Sequence, residues 1–357
     1  AVVHPTTTSV FELFKVGIGP SSSHTVGPMI ACRNFVKLLV KEDLISSVDR
    51  MNVELRGSLA LTGVGHYTNK AVVLGLAGVR PADVNPAEVE PFLQEVEKAG
   101  QLLVGFGDEA EKHKLVDFDE QTDVLLVAEE LPKHPNGMIC RALTAEGKVL
   151  RQERYYSIGG GFVLRDAEMT NSDAGPVCSW GRPEIPHPFS TMGDLVALCQ
   201  DEGIDIATAM RRNEETRSSP QQVKKELDRV WSVMESCLDR GLLPELEGVP
   251  LPGPLGIVRR APGMYKRALE EVDAMLATTD RMLLLDCYAL AVMEENASMG
   301  RVVTAPTNGA AGVVPAVLTY YLRHLRPLQS PEHQKGPEEF LFTAAAVGIL
   351  AKENACI

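Results

Sequence analysis

Two kinds of hydrophobic pattern alternate over the first half of the chain. Residues 29–40 carry apolar side chains at helical spacing, whereas residues 51–56 alternate with the period of two that is typical of a strand. Another helix is predicted from about Tyr67, and Asn85 and Gly100 stand where a third helix would begin and end. Short apolar runs that predict strands lie at 115–118, 124–127, 138–143, 148–156 and 162–164.

The second half of the chain is helical nearly throughout. Pro220 begins a long predicted helix, with Ser219 and Gln222 spaced as a capping box and Gly241 as the expected stop. Later helical patterns lie at roughly 262–278, 281–296, 310–325 and 337–355.

These patterns predict an α+β fold in two domains. An N-terminal α+β domain with a mostly antiparallel sheet is expected over residues 9–165, and a mainly α-helical domain over residues 189–357. Residues 166–188, rich in Pro, Gly, Ser and Asp, predict the linker between them.

Composition excludes several classes of protein. A formal net charge of −13 argues against a nucleic-acid binder. The longest apolar run, 282–293, is too short to span a membrane and contains Asp286, and the first residues lack the features of a secretory signal. Seven cysteines without a Cys-x-x-Cys pair argue against a disulfide framework or a local metal site. We therefore expect a cytoplasmic protein without a membrane or nucleic-acid partner.

The densest polar chemistry lies in the turn that precedes the first long helix. Ser21, Ser22, Ser23, His24 and Thr25 place four hydroxyls and one imidazole in five residues. Ser22 or Ser23 stands where an N-cap is expected, and a helix N-terminus binds anions such as carboxylates. An ordinary capped turn is the alternative interpretation.

Other polar positions allow two interpretations each. His66 follows Gly63-Val64-Gly65 and is either a proton acceptor or a surface histidine. The loop 304–310 and the pair Asn136-Gly137 are either pocket walls or simple turns. The glycine run 159–161 lacks the spacing of either nucleotide-binding motif and is taken as a flexible turn.

Six segments, in order, resemble the signature of the iron–sulfur L-serine dehydratases of the single-chain bacterial type: 17–29, 57–66, 134–138, 156–162, 301–310 and 352–355. The resemblance implies that His66 removes the α-proton of L-serine. It also implies substrate contacts from the residues Ser21, Ser22, Ser23, His24, Thr25, Thr62, Asn136, Thr304, Thr307 and Asn308. Lys352, Glu353 and Asn354 are candidates of second rank, near the family's cluster.

The resemblance implies a 4Fe–4S cluster as Lewis acid and a homodimeric assembly. The family's three cluster cysteines lie beyond the motif at 352–355, and this sequence ends at Cys356-Ile357. None of its seven cysteines matches a ligand position, so a C-terminally truncated member is expected. Its last helix is expected to be loose, with Phe340, Leu341, Phe342 and Leu350 exposed.

The expected activity is that of an L-serine ammonia-lyase, which forms pyruvate and ammonia. One alternative is an inactive or non-catalytic amino-acid-binding fragment of the same family, because the cluster cysteines are absent. The other is a pyridoxal-phosphate-dependent dehydratase, for which the glycine run 159–161 is the only candidate phosphate cradle.

Overall fold

The computed structural model describes residues 8–107, 109, 112–169, 185–253, 255–274, 278–329, 331 and 336–354. Contacts divide the chain into two compact units, Gly17–Val177 and Ala1–Val16 with Cys178–Ile357. Most of the predicted linker lies outside the described residues, so the predicted domain limits stay a prediction. We call the two parts the sheet unit and the helical unit.

The strands are β1 (Val16–Ile18), β2 (Arg50–Arg56), β3 (Gln101–Gly105), β4 (His113–Asp117), β5 (Val124–Val127), β6 (Gly137–Leu143), β7 (Val149–Ser157), β8 (Val163–Arg165) and β9 (Arg301–Val303). The α-helices are α1 (Val10–Leu13), α2 (Gly27–Lys41), α3 (Ser58–Leu61), α4 (Thr68–Leu76), α5 (Pro86–Ala99), α6 (Glu120–Asp123), α7 (Met192–Glu202), α8 (Ile206–Glu215), α9 (Pro220–Gly241), α10 (Ala261–Ala274), α11 (Thr278–Ala297), α12 (Val313–Tyr320) and α13 (Pro337–Asn354). The α+β class is confirmed.

The sheet unit is built on one mixed sheet in the order β3-β4-β2-β6-β7-β8, with β5 also paired to β2. The β3–β4, β2–β6, β6–β7 and β7–β8 pairs are antiparallel, whereas β4 and β5 run parallel to β2. The prediction of a mostly antiparallel sheet therefore holds. Helix α2 packs its apolar side on this sheet, where Phe35 and Leu39 join Met51 and Val53 in one buried cluster.

The helical unit packs around α9. Leu227, Val230 and Met234 of this helix lie in one buried cluster with Leu341 and Ile349 of α13. The capping box at Ser219 is confirmed. None of the helices in the described part of the chain is long and apolar enough to cross a membrane.

Helix α9 ends at Gly241, as expected to within one residue. A Cβ at Gly241 would overlap the Ala291 carbonyl oxygen of α11, so glycine is needed there for close helix packing rather than for a left-handed turn. The expectation that the last helix is loose is wrong, because Leu341 and Phe342 of α13 are fully buried, Leu350 is buried and Phe340 packs against the same cluster.

Candidate active site

The serine turn, residues 21–25, forms a tight helical entry to α2. The N–H groups of Thr25 and Val26 both donate to the Ser21 carbonyl, at 3.0 and 3.1 Å. Ser21 Oγ accepts from the His24 N–H at 3.1 Å, so Ser21 is the N-cap. The cap was predicted at Ser22 or Ser23. It lies one or two residues earlier, because a π-helix already begins at Ser22 and continues to Val26.

Three side-chain hydrogen bonds hold the serine turn in place. Thr25 Oγ1 donates to the His66 carbonyl at 2.7 Å, and Thr68 Oγ1 donates to the His24 carbonyl at 2.6 Å. Ser157, at the end of β7, donates its hydroxyl to the Ser23 carbonyl at 2.7 Å. The turn is therefore fixed to α4 and to the sheet before any ligand binds.

His24 lies between two hydroxyl groups. Its Nδ1 is 2.9 Å from Ser23 Oγ, and its Nε2 is 2.9 Å from Ser58 Oγ. Burial, with a smaller effect from the nearby His66, lowers the pKa of His24 to about 4. His24 is therefore a neutral imidazole at physiological pH.

His66 lies beside His24, with 4.8 Å between the ring centroids. Its Nδ1 is 3.0 Å from the Thr62 carbonyl oxygen, which can only accept a hydrogen bond. In the neutral ring Nδ1 therefore carries the proton and Nε2 carries the lone pair. The ring is only half-buried, so a small molecule can reach this side chain.

Thr62 and Asn136 have structural partners in the sheet unit. Thr62 Oγ1 donates to the Ser58 carbonyl at 2.9 Å. Asn136 does not form the tip of a hairpin: it precedes β6, and its Nδ2 donates to the Ser157 carbonyl at 3.2 Å. Ser157 also forms a hydrogen bond with the Ser23 carbonyl, so Asn136 and the serine turn share Ser157 as a partner.

A second polar cluster lies within the helical unit. Thr304 Oγ1 donates to Asn308 Oδ1, and Asn308 Nδ2 donates to Asn296 Oδ1 at 3.3 Å. All three side chains are buried, whereas Thr307 is exposed. The loop 304–310 is thus built on α11, which carries Asn296.

The second-rank candidates occupy the last turn of α13. Glu353 accepts a hydrogen bond from Thr8 Oγ1 at 2.5 Å, and Asn354 Nδ2 donates to the Leu350 carbonyl at 2.8 Å. Lys352 is half-buried on the same turn. The helical unit therefore holds Thr304, Asn308 and this turn, and the sheet unit holds the serine turn, Thr62, His66 and Asn136.

The described cysteines do not form a cluster site. The five thiols are all buried, on α2, β6, α7, α9 and α11: Cys32, Cys140, Cys199, Cys237 and Cys287. Among the described residues, no group of three His, Cys, Asp or Glu side chains could hold a metal ion. These residues therefore do not fit a 4Fe–4S cluster, whose ligands are thiolates. Cys178 and Cys356 lie outside the described residues.

Three residues of this arrangement were not predicted as site residues. Ser58 contacts His24, Ser157 anchors the serine turn, and Asn296 supports Asn308. Ser58 and Ser157 lie inside segments that resemble the dehydratase signature, and this resemblance is the sequence signal that could have identified them. Asn296 lies outside all six segments, so only its contact with Asn308 identifies it.

Two family profiles match successive parts of the sequence. The profile of the serine dehydratase beta chain matches residues 9–168, and that of the serine dehydratase alpha chain matches residues 201–357. The chain therefore belongs to the serine dehydratase family.

Curated relatives extend the match over nearly the whole chain. L-serine dehydratase 2 of Escherichia coli (strain K12) is 41% identical over 352 residues, which cover 98% of this chain and 72% of the relative. L-serine dehydratase of Haemophilus influenzae is 39% identical, with 98% and 73% covered. L-serine dehydratase of Streptomyces coelicolor is 40% identical, with 98% and 72% covered.

Proposed function

We propose that this chain is an L-serine ammonia-lyase, which converts L-serine to pyruvate and ammonia. The curated relatives, all named L-serine dehydratases, support this substrate. The structural observation that carries the proposal is the orientation of His66. Its Nδ1 proton is directed at the Thr62 carbonyl, so Nε2 is available as a base.

His66 Nε2 takes the α-proton of serine in the proposed reaction. Loss of this proton and of the β-hydroxyl gives aminoacrylate and water. Aminoacrylate becomes the imine, and hydrolysis of the imine releases pyruvate and ammonia. The Thr62 carbonyl stabilises the imidazolium that forms, because it already accepts from Nδ1 and stays fixed during the proton transfer.

The serine turn binds the substrate carboxylate in this proposal. Ser22 and Ser23 open a helical stretch that continues without a break to Lys41, and the first N–H groups of a helix have no carbonyl within it to bond. These donors and the helix dipole favour an anion at this end. They bind more strongly as negative charge builds up on the carboxylate during proton loss.

We further propose substrate contacts from Thr62, Asn136, Thr304, Thr307 and Asn308, with Lys352, Glu353 and Asn354 as second-rank candidates. We also propose a cytoplasmic location, as expected from the composition of the sequence, and a homodimer, as implied by the family resemblance. We also propose a 4Fe–4S cluster, which the same resemblance implies. Since the described residues do not supply its ligands, no step above depends on it.

The pyridoxal-phosphate alternative loses its structural basis. Residues Gly159, Gly160 and Gly161 all have positive φ and form the tight turn between β7 and β8, with the Phe162 N–H bonded to the Gly159 carbonyl at 2.9 Å. This backbone makes a hairpin connection rather than the N-terminus of a helix that would bind a phosphate.

Pyruvate formation tests the proposed function. The chain is incubated with L-serine, and pyruvate is measured by a coupled reduction while ammonia is measured separately. We expect the two products in equal amounts. If L-serine raises the melting temperature but no pyruvate forms, the chain is a binding module of this family and the proposal is wrong.

A further inference from the structure

Thr25 is fully buried in the serine turn, and its hydroxyl forms hydrogen bonds on two sides. Thr25 Oγ1 accepts from the Ser21 N–H at 3.2 Å and donates to the His66 carbonyl at 2.7 Å, while Thr25 itself is 0% exposed. A main-chain N–H can only donate and a carbonyl can only accept, so the direction of both bonds is fixed. The single hydroxyl proton is therefore used on His66, and the Thr25 side chain has no donor left for a ligand.

The His66 carbonyl lies outside helix α4. Tyr67 has left-handed backbone angles, with φ 53° and ψ 33°, and it separates His66 from the helix. The main-chain bonding of α4 begins at the next residue, with the Ala71 N–H donating to the Tyr67 carbonyl at 2.9 Å. The His66 carbonyl instead accepts from a side chain, Thr25 Oγ1, so the place of the base depends on the serine turn.

Thr68 forms the reciprocal bond. Its Oγ1 donates to the His24 carbonyl at 2.6 Å, and Thr68 is also 0% exposed. Pro28 follows His24 by four residues and has no N–H, so it cannot supply the donor that this carbonyl would find in a regular α-helix. Each of the two histidine carbonyls thus accepts from a buried threonine of the other segment, and the rings lie with their centroids 4.8 Å apart.

We propose that Thr25 is a positioning residue, whose hydroxyl holds the main chain of His66 at a fixed distance from the serine turn. The inference rests on the proposed function for the identity of the base and of the ligand. In L-serine the carbon that carries the α-proton is bonded to the carboxylate carbon. The turn that binds the carboxylate therefore also places the α-proton, and the base must be held relative to that turn. Thr25 acts through His66 and does not touch the substrate.

Thr25→Val tests this role because it removes the hydroxyl and keeps the size of the side chain. A methyl carbon contacts a carbonyl oxygen at about 3.3–3.6 Å rather than at 2.7 Å, so the His66 main chain must move away from the turn. We expect kcat for L-serine to fall roughly 10- to 100-fold, because a displacement of about 1 Å at a reacting group has an effect of this order. Thr25→Ser keeps the hydroxyl and should restore kcat.

Binding of 3-hydroxypropionate, which has the carboxylate of L-serine but not its ammonium group, reports the carboxylate site alone. We expect its Kd, measured by calorimetry, to be nearly unchanged in Thr25→Val, since Ser157 and Thr68 still anchor the serine turn. The stoichiometry of binding gives the folded fraction of each variant, by which kcat is corrected. If Thr25→Val does not fold, Thr25→Ala replaces it, because alanine also lacks the hydroxyl.

Thr319→Val is the matched control. Thr319 of α12 is also buried, and its hydroxyl has no hydrogen-bond partner among the residues that the structure describes. The same chemical change at this position should leave both kcat and the Kd for 3-hydroxypropionate unchanged. A loss of kcat in Thr25→Val no larger than in this control would overturn the proposal.

The position of His66 can also be measured without turnover. Nuclear Overhauser contacts between the ring protons of His24 and His66 are recorded in perdeuterated protein with protonated histidine. We expect them in the wild type, in Thr25→Ser and in Thr319→Val, and we expect them to be weaker in Thr25→Val, since these contacts fall steeply with distance. Unchanged contacts in Thr25→Val would overturn the proposal.

Two outcomes separate this inference from the proposed function. If Thr25→Val weakens 3-hydroxypropionate as strongly as it lowers kcat, Thr25 belongs to the carboxylate site and the inference is wrong, whereas the proposed function stands. If the wild type forms no pyruvate from L-serine, the proposed function fails and the catalytic role of this contact fails with it. The ring contacts then still decide whether Thr25 holds His66 against the serine turn.

Discussion

His24 and His66, whose rings lie side by side, have different properties because their hydrogen-bond partners differ. His66 Nδ1 faces a carbonyl oxygen, which fixes the tautomer of the neutral ring and leaves the lone pair on Nε2. His24 faces two hydroxyls, which can each donate or accept, and its pKa is lowered to about 4. One ring is thus suited to proton transfer and the other to a neutral hydrogen-bond bridge.

The lowered pKa of His24 predicts a pH-dependent stability. Between pH 6.5 and about 4 the unfolded chain binds a proton on this residue that the folded protein does not bind. Stability therefore falls as the pH drops through this window. We expect the melting temperature of His24→Gln to decrease less than that of the wild type between pH 7 and pH 5. Parallel curves for the two proteins would contradict the assignment.

The sequence points to candidate site residues but not to the partners of their side chains. His66 and the serine turn stand out in the sequence because of their neighbouring glycines and their density of hydroxyls. Ser58 is 34 positions from His24, and no local pattern predicts that their side chains meet. Such contacts depend on how α3 and α4 pack after β2, which is decided by tertiary structure.

At the level of elements, the close packing at Gly241 of α9 predicts that alanine substitutions at two glycines differ in their effect on stability. Gly241→Ala would place a methyl group against the Ala291 carbonyl and force α9 and α11 apart, so we expect a loss of about 1–3 kcal/mol. Gly193→Ala on α7 is the matched control, since its nearest atom is 3.6 Å away. The control should be neutral or stabilising by up to about 1 kcal/mol. Chemical denaturation measures both, and equal effects would contradict this packing.

Glu214 of α8 holds the short helix α1 by its N-terminus. Its two oxygens accept from the Val10 N–H at 2.8 Å and from Ser9 Oγ at 2.9 Å. Burial raises the pKa of Glu214 in spite of these hydrogen bonds. The folded protein therefore holds this proton more tightly than the unfolded chain does, and stability is lost as the pH rises from 4.5 through the raised pKa.

Glu214→Gln tests this effect because the amide stays neutral and keeps an acceptor for the Val10 N–H. We expect the melting temperature of the variant, relative to that of the wild type, to increase as the pH rises from 4.5 to 7. Glu245→Gln, at an exposed carboxylate, is the control and should show no such trend. A constant difference for Glu214→Gln would mean that its ionisation is not coupled to folding.

The elements themselves were largely predictable because their signals are local. The Asn85 cap, the Gly100 stop and the Ser219 capping box all appear as predicted. Strand β3 was not predicted, since its exposed position 103 holds an apolar leucine, so the sequence does not alternate between apolar and polar residues. Its pairing with β4 also spans the chain from Gln101 to Asp117. Pairing partners are not encoded in the period of a single segment.

For the whole molecule, contacts between distant segments explain the largest error. Helix α13 was expected to be loose, but its apolar residues lie in one cluster with Val10 and Leu13 of α1, more than 300 positions earlier. The sequence shows the apolar side of α13 and not the residues that cover it. By contrast, the hydrophobic patterns sufficed to predict the α+β class, and the order of the six segments sufficed to predict the family.

Turnover by a His66 variant tests the central claim most directly. Pyruvate formation from L-serine is measured for the wild type, for His66→Gln and for His113→Gln, a control histidine on β4. The account predicts that His66→Gln lowers kcat at least about 100-fold, as expected for loss of a general base, with L-serine binding largely intact and the control unaffected. A His66→Gln protein that keeps more than about a tenth of wild-type turnover would contradict the assignment of His66 as the base.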